Sequence, residues 1–304
     1  MLLRAPGCLP RPRASFRKLS TRCSATPAPR VGAAYTALSV SLCAGSAGLL
    51  CLPEPQQLLL SSGLPVPLAE HLCRLIGCAL LPATAACVSL RDAAAHPGRL
   101  ESATYKRLNL ALFVSTLLLA GLARAPLLVA PAAVFAAGLQ LTSPAKLGAW
   151  PGRLLQLAGT EASGLVALFS SPAPNFAAGF YAALVASLLS AILLTVAAPA
   201  IVLNQLTVLP SVLQMSPATL RLLAATLIPS LAAAVALADA ARRDRLGAST
   251  FRLLNWALGL AALASGGQHL RAALTVGPPA VVPFLAMAAI SVPVAVGCFA
   301  RVRK

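Results

Sequence analysis

Residues 74–94 of the chain read RLIGCALLPATAACVSLRDAA, and residues 221–241 read RLLAATLIPSLAAAVALADAA. The two stretches lie 147 positions apart and carry the same residue at 11 of 21 places. Many of these matches are Ala or Leu, which are common throughout the chain, so the Arg, the Pro and the Asp that recur carry more weight. A segment repeated at this distance predicts that one structural unit occurs twice in the chain.

Two further blocks extend the repeat in the same order, at an offset of 146. Residues 99–112 (RLESATYKRLNLAL) match residues 245–258 (RLGASTFRLLNWAL), and Tyr35 near the front of the first copy matches Tyr181 in the second. The offset changes by one residue between blocks, as a loop insertion would cause. This order favours an internal duplication over chance.

The composition places the chain in a membrane. Of its 304 residues 58% are hydrophobic and only 10% are charged, and the mean hydropathy is +0.82. Soluble domains carry about 25% charged residues. The net charge of +17 is concentrated in the first 30 residues and at the ends of apolar runs, so we expect a lipid bilayer as the partner and no nucleic acid.

Eight uncharged apolar runs follow one another, at 31–53, 75–90, 108–123, 125–145, 175–203, 222–238, 253–268 and 272–300. A spanning helix needs about 20 residues, and shorter runs reach this length when charged residues at their ends extend to the interface. The sequence therefore predicts an all-α fold, a polytopic membrane helix bundle of about eight spans. Four spans per copy is an even number, so both copies enter from the same side as parallel four-helix repeats, at 31–143 and 179–304. Residues 144–178 between them are predicted to be a linker with an interfacial helix.

Residues 1–30 resemble a targeting segment in composition. They contain seven Arg or Lys, several Ser and Thr, and no acidic residue. Such a segment is typical of an organellar transit peptide, and no long apolar stretch is present that would make a secretory signal. The Pro content and the stretch Thr21–Ala25 favour a plastid leader. We predict a chloroplast membrane protein, of the envelope or the thylakoid, with the mitochondrial inner membrane as the alternative.

Basic residues are predicted to collect on one membrane face. With eight spans, the N-terminus, the loops 91–103, 144–178 and 239–249, and the C-terminus share that face, which holds most of the Arg and Lys outside the leader. By the positive-inside rule this face is the stroma, so both termini are predicted to be stromal.

Four polar residues that recur between the copies are candidates for ligand binding. Arg74 and Arg221 open the second helix of each copy, where the helix dipole disfavours a cation, and Asn109 and Asn255 lie one turn inside the third helix. Two interpretations stay open. These residues could face a cavity between the copies and bind a ligand, with an anionic group on the arginines. Alternatively, Arg74 pairs with Glu70 one turn earlier, and each asparagine holds two helices together by a hydrogen bond.

Two acidic residues that recur are candidates for structural ion pairs. Asp92 and Asp239 end the second helices, where the dipole disfavours an anion. Lys106 and Arg252, at the start of the following helix on the same face, are their predicted partners. Each pair would hold a helix hairpin together.

Motifs that would indicate catalysis are missing from the sequence. Three histidines, His71, His96 and His269, lie at helix ends or in loops and do not recur between the copies. The eight cysteines occur singly, without metal-ligand spacing, and no paired carboxylates, nucleotide-binding glycine loop or nucleophile motif is present. We therefore expect a protein that is not an enzyme and holds no metal or other cofactor.

Each copy resembles the DoxX-like four-helix membrane proteins. The likeness rests on Gly45, Gly48 and Pro53 in the first span and on the motif Arg74-Leu-x-Gly77-x-x-Leu80 that opens the second. It covers residues 31–143 and recurs over 179–299, where an Ala stands in the place of the motif glycine. The resemblance implies a membrane-embedded helix bundle and no particular reaction.

Two classes of function fit these observations. The first is a transporter or channel for a small molecule, an anion or a lipid, with the two copies flanking a path. The second is a non-catalytic structural or assembly factor that packs against other membrane proteins, or against itself, through faces of small residues.

Overall fold

The computed structural model describes residues 28–53, 66–96, 98–123, 129–142, 150–199, 217–275 and 281–302. The predicted leader lies outside these residues except for its last three. The described part of the chain is all helical, with nine α-helices and a 3₁₀ turn at Arg99–Glu101. The α-helices are α1 (Ala28–Cys51), α2 (Val66–Ala94), α3 (Ala103–Ala123), α4 (Val129–Thr142), α5 (Trp150–Ser170), α6 (Phe176–Ala197), α7 (Pro217–Arg242), α8 (Ser249–Thr275) and α9 (Val281–Val302).

Six of these helices are long and apolar enough to cross a membrane: α1, α2, α3, α6, α7 and α9. Each of the eight predicted apolar runs contains a helix among the described residues, but two of these helices do not qualify as spans. With 14 residues, α4 is about 21 Å long, shorter than the hydrocarbon core. The 27 residues of α8 are sufficient in length, but its sequence is more polar. The chain is an integral membrane protein, and the predicted count of eight spans depends on α4 and α8.

The centre of the bundle is formed by α2 and α7, whose residues are mostly buried. Each of them packs more extensively on a helix far away in sequence than on the helix that follows it. Thus α2 packs against α8 and α3 packs against α7, while α2 with α3 and α7 with α8 share little contact. The outer positions belong to α1 on α2, α6 on α7, α4 on α3 and α9 on α8.

A close approach between α1 and α2 depends on a glycine. A Cβ atom at Gly77 would lie 3.0 Å from Leu49 Cβ, tighter than ordinary packing allows. The hydroxyl of Ser46 donates to the carbonyl of Gly77 at 2.8 Å. Gly77, in the motif that opens α2, therefore allows close helix packing, as small residues do in membrane bundles.

The predicted linker contains α5, which is anchored at one end of the bundle. Arg107, near the start of α3, forms an ion pair with Glu161 in α5. Arg242, at the end of α7, donates to the carbonyls of Leu168 at 2.5 Å and Ser171 at 3.0 Å. The remainder of α5 is largely exposed. Both anchors lie at the end of the bundle where α3 begins and α7 ends, so α5 lies across that end.

Candidate functional site

A cavity of about 350 Å³ lies between α6 on one side and α8 and α9 on the other. Leucine and alanine side chains from α2, α6, α7 and α8 form most of its wall, with Phe284 and Met287 from α9. The volume falls at the lower end of the range for pockets that bind one small ligand. The wall therefore suits a small, mostly apolar molecule.

Two histidines and a phenylalanine form the polar end of the cavity. The ring centroids of His71 and His269 lie 5.2 Å apart, and the ring of Phe284 lies 5.3 Å from that of His71. His269 is 9% exposed, and its Nδ1 atom has no hydrogen-bond partner among the described residues. A buried polar atom left without a partner is unfavourable by about 1–3 kcal/mol. This nitrogen has almost no accessible surface, so it does not open onto the cavity.

A charged cluster stands beside the histidines, at the start of α2 and the end of α8. Glu70 precedes His71, and its Oε1 atom lies 2.8 Å from both Arg74 and Arg271. Arg271 follows His269 by two residues and is half-exposed. Two guanidinium groups against one carboxylate give these three described residues a net charge of +1, and none of the three is part of the cavity wall.

The first candidate ligand-binding residue, Arg74, is occupied by the protein itself. Its guanidinium donates to Glu70 at 2.8 and 3.0 Å, to the carbonyl of Leu52 at 3.2 Å and to that of Leu50. A cation at the C-terminus of α1 is favourable for that helix dipole. The predicted ion pair of Arg74 with Glu70 is present. The carbonyls at the end of α1 compensate for the unfavourable position of Arg74 at the start of its own helix. Its counterpart Arg221 is exposed and is absent from the cavity wall.

The two candidate asparagines bind the two tyrosines that also recur. The hydroxyl of Tyr35 donates to Oδ1 of Asn109 at 3.1 Å, and that of Tyr181 donates to Oδ1 of Asn255. All four side chains are at most 1% exposed. The pairs join α1 to α3 and α6 to α8, as expected of interhelical hydrogen bonds.

These four candidates do not converge on one site. Arg74 contacts Leu50, whereas Asn109 binds Tyr35, which lies fifteen residues earlier in α1. At 1.5 Å per residue this places the two contacts about 22 Å apart. Neither asparagine is part of the cavity wall.

The carboxylates that end α2 and α7 take partners other than the predicted ones. Asp92 lies 3.6 Å from Arg99, and Asp239 lies 3.0 Å from Arg243. The predicted partners, Lys106 and Arg252, form no ion pair among the described residues. Arg99 and Arg243 are seven and four residues from their carboxylates, whereas the predicted partners are 14 and 13 residues away. The observed pairs therefore close a shorter segment of the chain. Both pairs are partly exposed, so each contributes little, about 0–1 kcal/mol.

Sequence reasoning missed the histidine pair. Both histidines stood at helix ends and neither recurs between the copies, so they carried no signal of a site. Their proximity comes from the packing of α2 against α8, which the apolar pattern does not specify. The described residues also contain no group of three or more His, Cys, Asp or Glu that could hold a metal ion.

Comparison with known proteins assigns no family and no function to this cavity. No protein-family model, curated protein or solved structure matches the chain.

Proposed function

We propose that this membrane protein binds a lipid-soluble small molecule in the cavity between α6 and the pair α8 and α9, as a lipid-handling carrier. The observation that supports this proposal is the nearly continuous apolar wall around about 350 Å³ of space. Protein interiors are otherwise close-packed, with few voids larger than a water molecule. Among the described residues, the polar side chains on the cavity wall are two histidines, two serines and a threonine.

The proposed bundle consists of two four-helix repeats, α1–α4 and α6–α9, in parallel orientation. Three features support this layout. The tyrosine–asparagine bond occurs once in each repeat at matching positions. The packing of α2 on α8 has its counterpart in that of α3 on α7. The hydroxyls of Tyr105 and Thr250 lie 2.9 Å apart, so α3 and α8 begin at the same end of the bundle.

A plastid membrane is the proposed location, with the basic end of the bundle on the stromal side. Support comes from the composition of residues 1–30 and from the position of α5, whose anchors lie at that basic end. Fractionation of a fluorescent fusion tests the location. A fusion that separates with mitochondrial inner membranes would replace the plastid by the alternative compartment.

Cavity-filling variants test the binding function. Ala262 lines the cavity in α8, while its neighbour Leu263 is 54% exposed on the outside of the same helix. We expect purified Ala262→Phe protein to retain less co-purifying lipid-soluble material than the wild type, as measured by extraction and mass spectrometry. Leu263→Phe is the matched control and should retain the wild-type amount. An Ala262→Phe protein with unchanged content would count against the cavity as the binding site.

A structural or assembly role is the second candidate. It is favoured by one observation: Arg74, Asn109 and Asn255 use their polar atoms to hold helices together. Native gel electrophoresis of the tagged protein separates the two proposals. Migration with a large complex, together with cavity variants that have no effect on bound lipid, would favour the assembly role.

A further inference from the structure

The cavity opens sideways, between the outer helices α6 and α9. Resting on the proposed binding function, we infer that this opening is the entrance for the ligand, and that the ligand is one acyl chain of a membrane lipid. The chain enters directly from the leaflet farther from α5, without passing through water.

The exposure of the wall residues identifies the open side of the cavity. On α7 the wall residues Leu220 and Ser230 are 3% and 5% exposed, so they lie at the floor. On the outer helices the wall residues Ala191 and Met287 are exposed, Met287 by 52%. The cavity is therefore a cleft with α7 in its floor and with α6 and α9 as its two rims.

The rims meet near the end of the bundle where α5 lies. A Cβ atom at Gly297 of α9 would lie 2.5 Å from the ring of Phe180 of α6, so this ring packs directly on the α9 backbone. Among the described residues α6 and α9 otherwise share little contact, because α6 packs on α7 and α9 packs on α8. The cleft is thus closed at Phe180 and Gly297 and open over the half of the bundle away from α5.

The cleft has the length of the hydrocarbon layer in one leaflet. Its wall runs from Leu184 to Thr195 on α6 and from Pro283 to Val294 on α9, a rise of 11 residues or about 16 Å on each helix. Half of a hydrocarbon core of about 30 Å is about 15 Å. Since α6 ends and α9 begins at the end of the bundle opposite α5, the cleft lies in the leaflet farther from α5. Its long direction follows the helices, as the acyl chains of that leaflet do.

The surroundings of the cleft favour lipid hydrocarbon as its occupant. Exposed apolar side chains flank it on both rims, such as Leu193 on α6 and Ile290 on α9, so the cleft is continuous with the surface that faces the bilayer. If the cleft stayed empty, the atoms of its wall would lose their dispersion contacts, and water inside it would find few polar partners. An acyl chain from a neighbouring lipid fills the cleft without either cost.

Photolabelling by a lipid tail tests this inference. Phosphatidylcholine with a diazirine in one acyl chain is incorporated with the full-length protein into nanodiscs, and the labelled residues are identified by mass spectrometry. We expect label on the part of α7 that lines the cleft, between Leu220 and Leu227. A diazirine near the ester end of the chain should label towards Leu220, and one at the methyl end towards Leu227, about 10 Å deeper along α7.

Two variants of α6 provide the comparison. Ala191→Phe places a ring at the rim and should remove most of the label on α7, whereas Leu193→Phe, at a position 56% exposed outside the cleft, should leave it unchanged. Both positions are exposed, so neither change disturbs the packed core.

Three results would overturn the inference: no label on α7 in the wild type, label that persists in Ala191→Phe, or the reverse order of labelling along α7. The proposed binding function would still stand if Ala262→Phe loses bound lipid-soluble material. A wild type without label on α7, together with an Ala262→Phe protein of unchanged content, would overturn both.

Discussion

The two buried tyrosine–asparagine bonds make a quantitative prediction about stability. In the second copy of the repeated sequence, Tyr181→Phe and Asn255→Leu each remove the hydrogen bond from the tyrosine hydroxyl to Oδ1 of Asn255. Both side chains are fully buried, so water cannot replace the lost partner. Each single variant is expected to lower the free energy of unfolding by about 1–2 kcal/mol, and the double variant by less than the sum. The difference, the coupling energy, should be about 0.6–1.7 kcal/mol, as for other interhelical hydrogen bonds in membranes.

The assay is thermal unfolding of the four proteins in one detergent, followed by the loss of the monomer peak in size-exclusion chromatography. A change of 1 kcal/mol corresponds to a shift of about 2–4 °C for a chain of this order of size. The first repeat provides an internal replicate, because Tyr35→Phe and Asn109→Leu remove the same bond there. A coupling energy within about 0.3 kcal/mol of zero in both repeats would refute the bonds as structural links.

Two glycines and two arginines give further predictions, each with a control from the same chain. Gly138→Ala should destabilise the protein by about 1–3 kcal/mol, because the new Cβ would overlap the Tyr35 hydroxyl. Gly121→Ala, with no atom within 4 Å of the new Cβ, should be neutral or stabilising by up to about 1 kcal/mol in the same thermal assay. Arg74→Ala should lower stability by about 2–4 kcal/mol, since the carbonyls of Leu50 and Leu52 at the end of α1 lose a donor while Glu70 keeps one arginine. The exposed Arg221→Ala should stay within about 0.5 kcal/mol of the wild type, and equal losses in the two arginine variants would contradict the assigned contacts.

The helices could be predicted from the sequence because uncharged apolar runs of sufficient length have few alternatives in a membrane. The neighbours against which each helix packs could not be predicted. In α8 the polar and apolar residues are spread around the helix, so no face identifies the neighbour, and the sequence did not predict the pairing of α2 with α8. The repeated sequence contains one signal for a helix contact. Tyr35 and Asn109 are separated by the same number of residues as Tyr181 and Asn255, so the two pairs recur together.

The candidate site was predicted less well than the fold, for two physical reasons. Arg74 finds its partners in backbone carbonyls at the end of α1, and a carbonyl has no residue type by which sequence could reveal it. An anion site at the recurring arginines was one of two interpretations, whereas the polar end of the cavity is formed by His71 and His269, which do not recur. The two histidines come one from each copy of the repeated sequence, at positions that do not match, so they leave no duplicated pattern to detect.

The crossed packing of α2 with α8 and of α3 with α7 has a consequence for how the protein is made. The helix that packs on α2, α8, begins 155 residues after the end of α2, and the helix that packs on α3, α7, begins 94 residues after the end of α3. While α7 and α8 are not yet synthesised, the faces of α2 and α3 that will pack against them have no partner in the bilayer. The small residues on these faces can attract other newly inserted helices at this stage. Insertion factors that shield these faces would protect the nascent chain, and a pause in translation between α3 and α7 would lengthen their exposure.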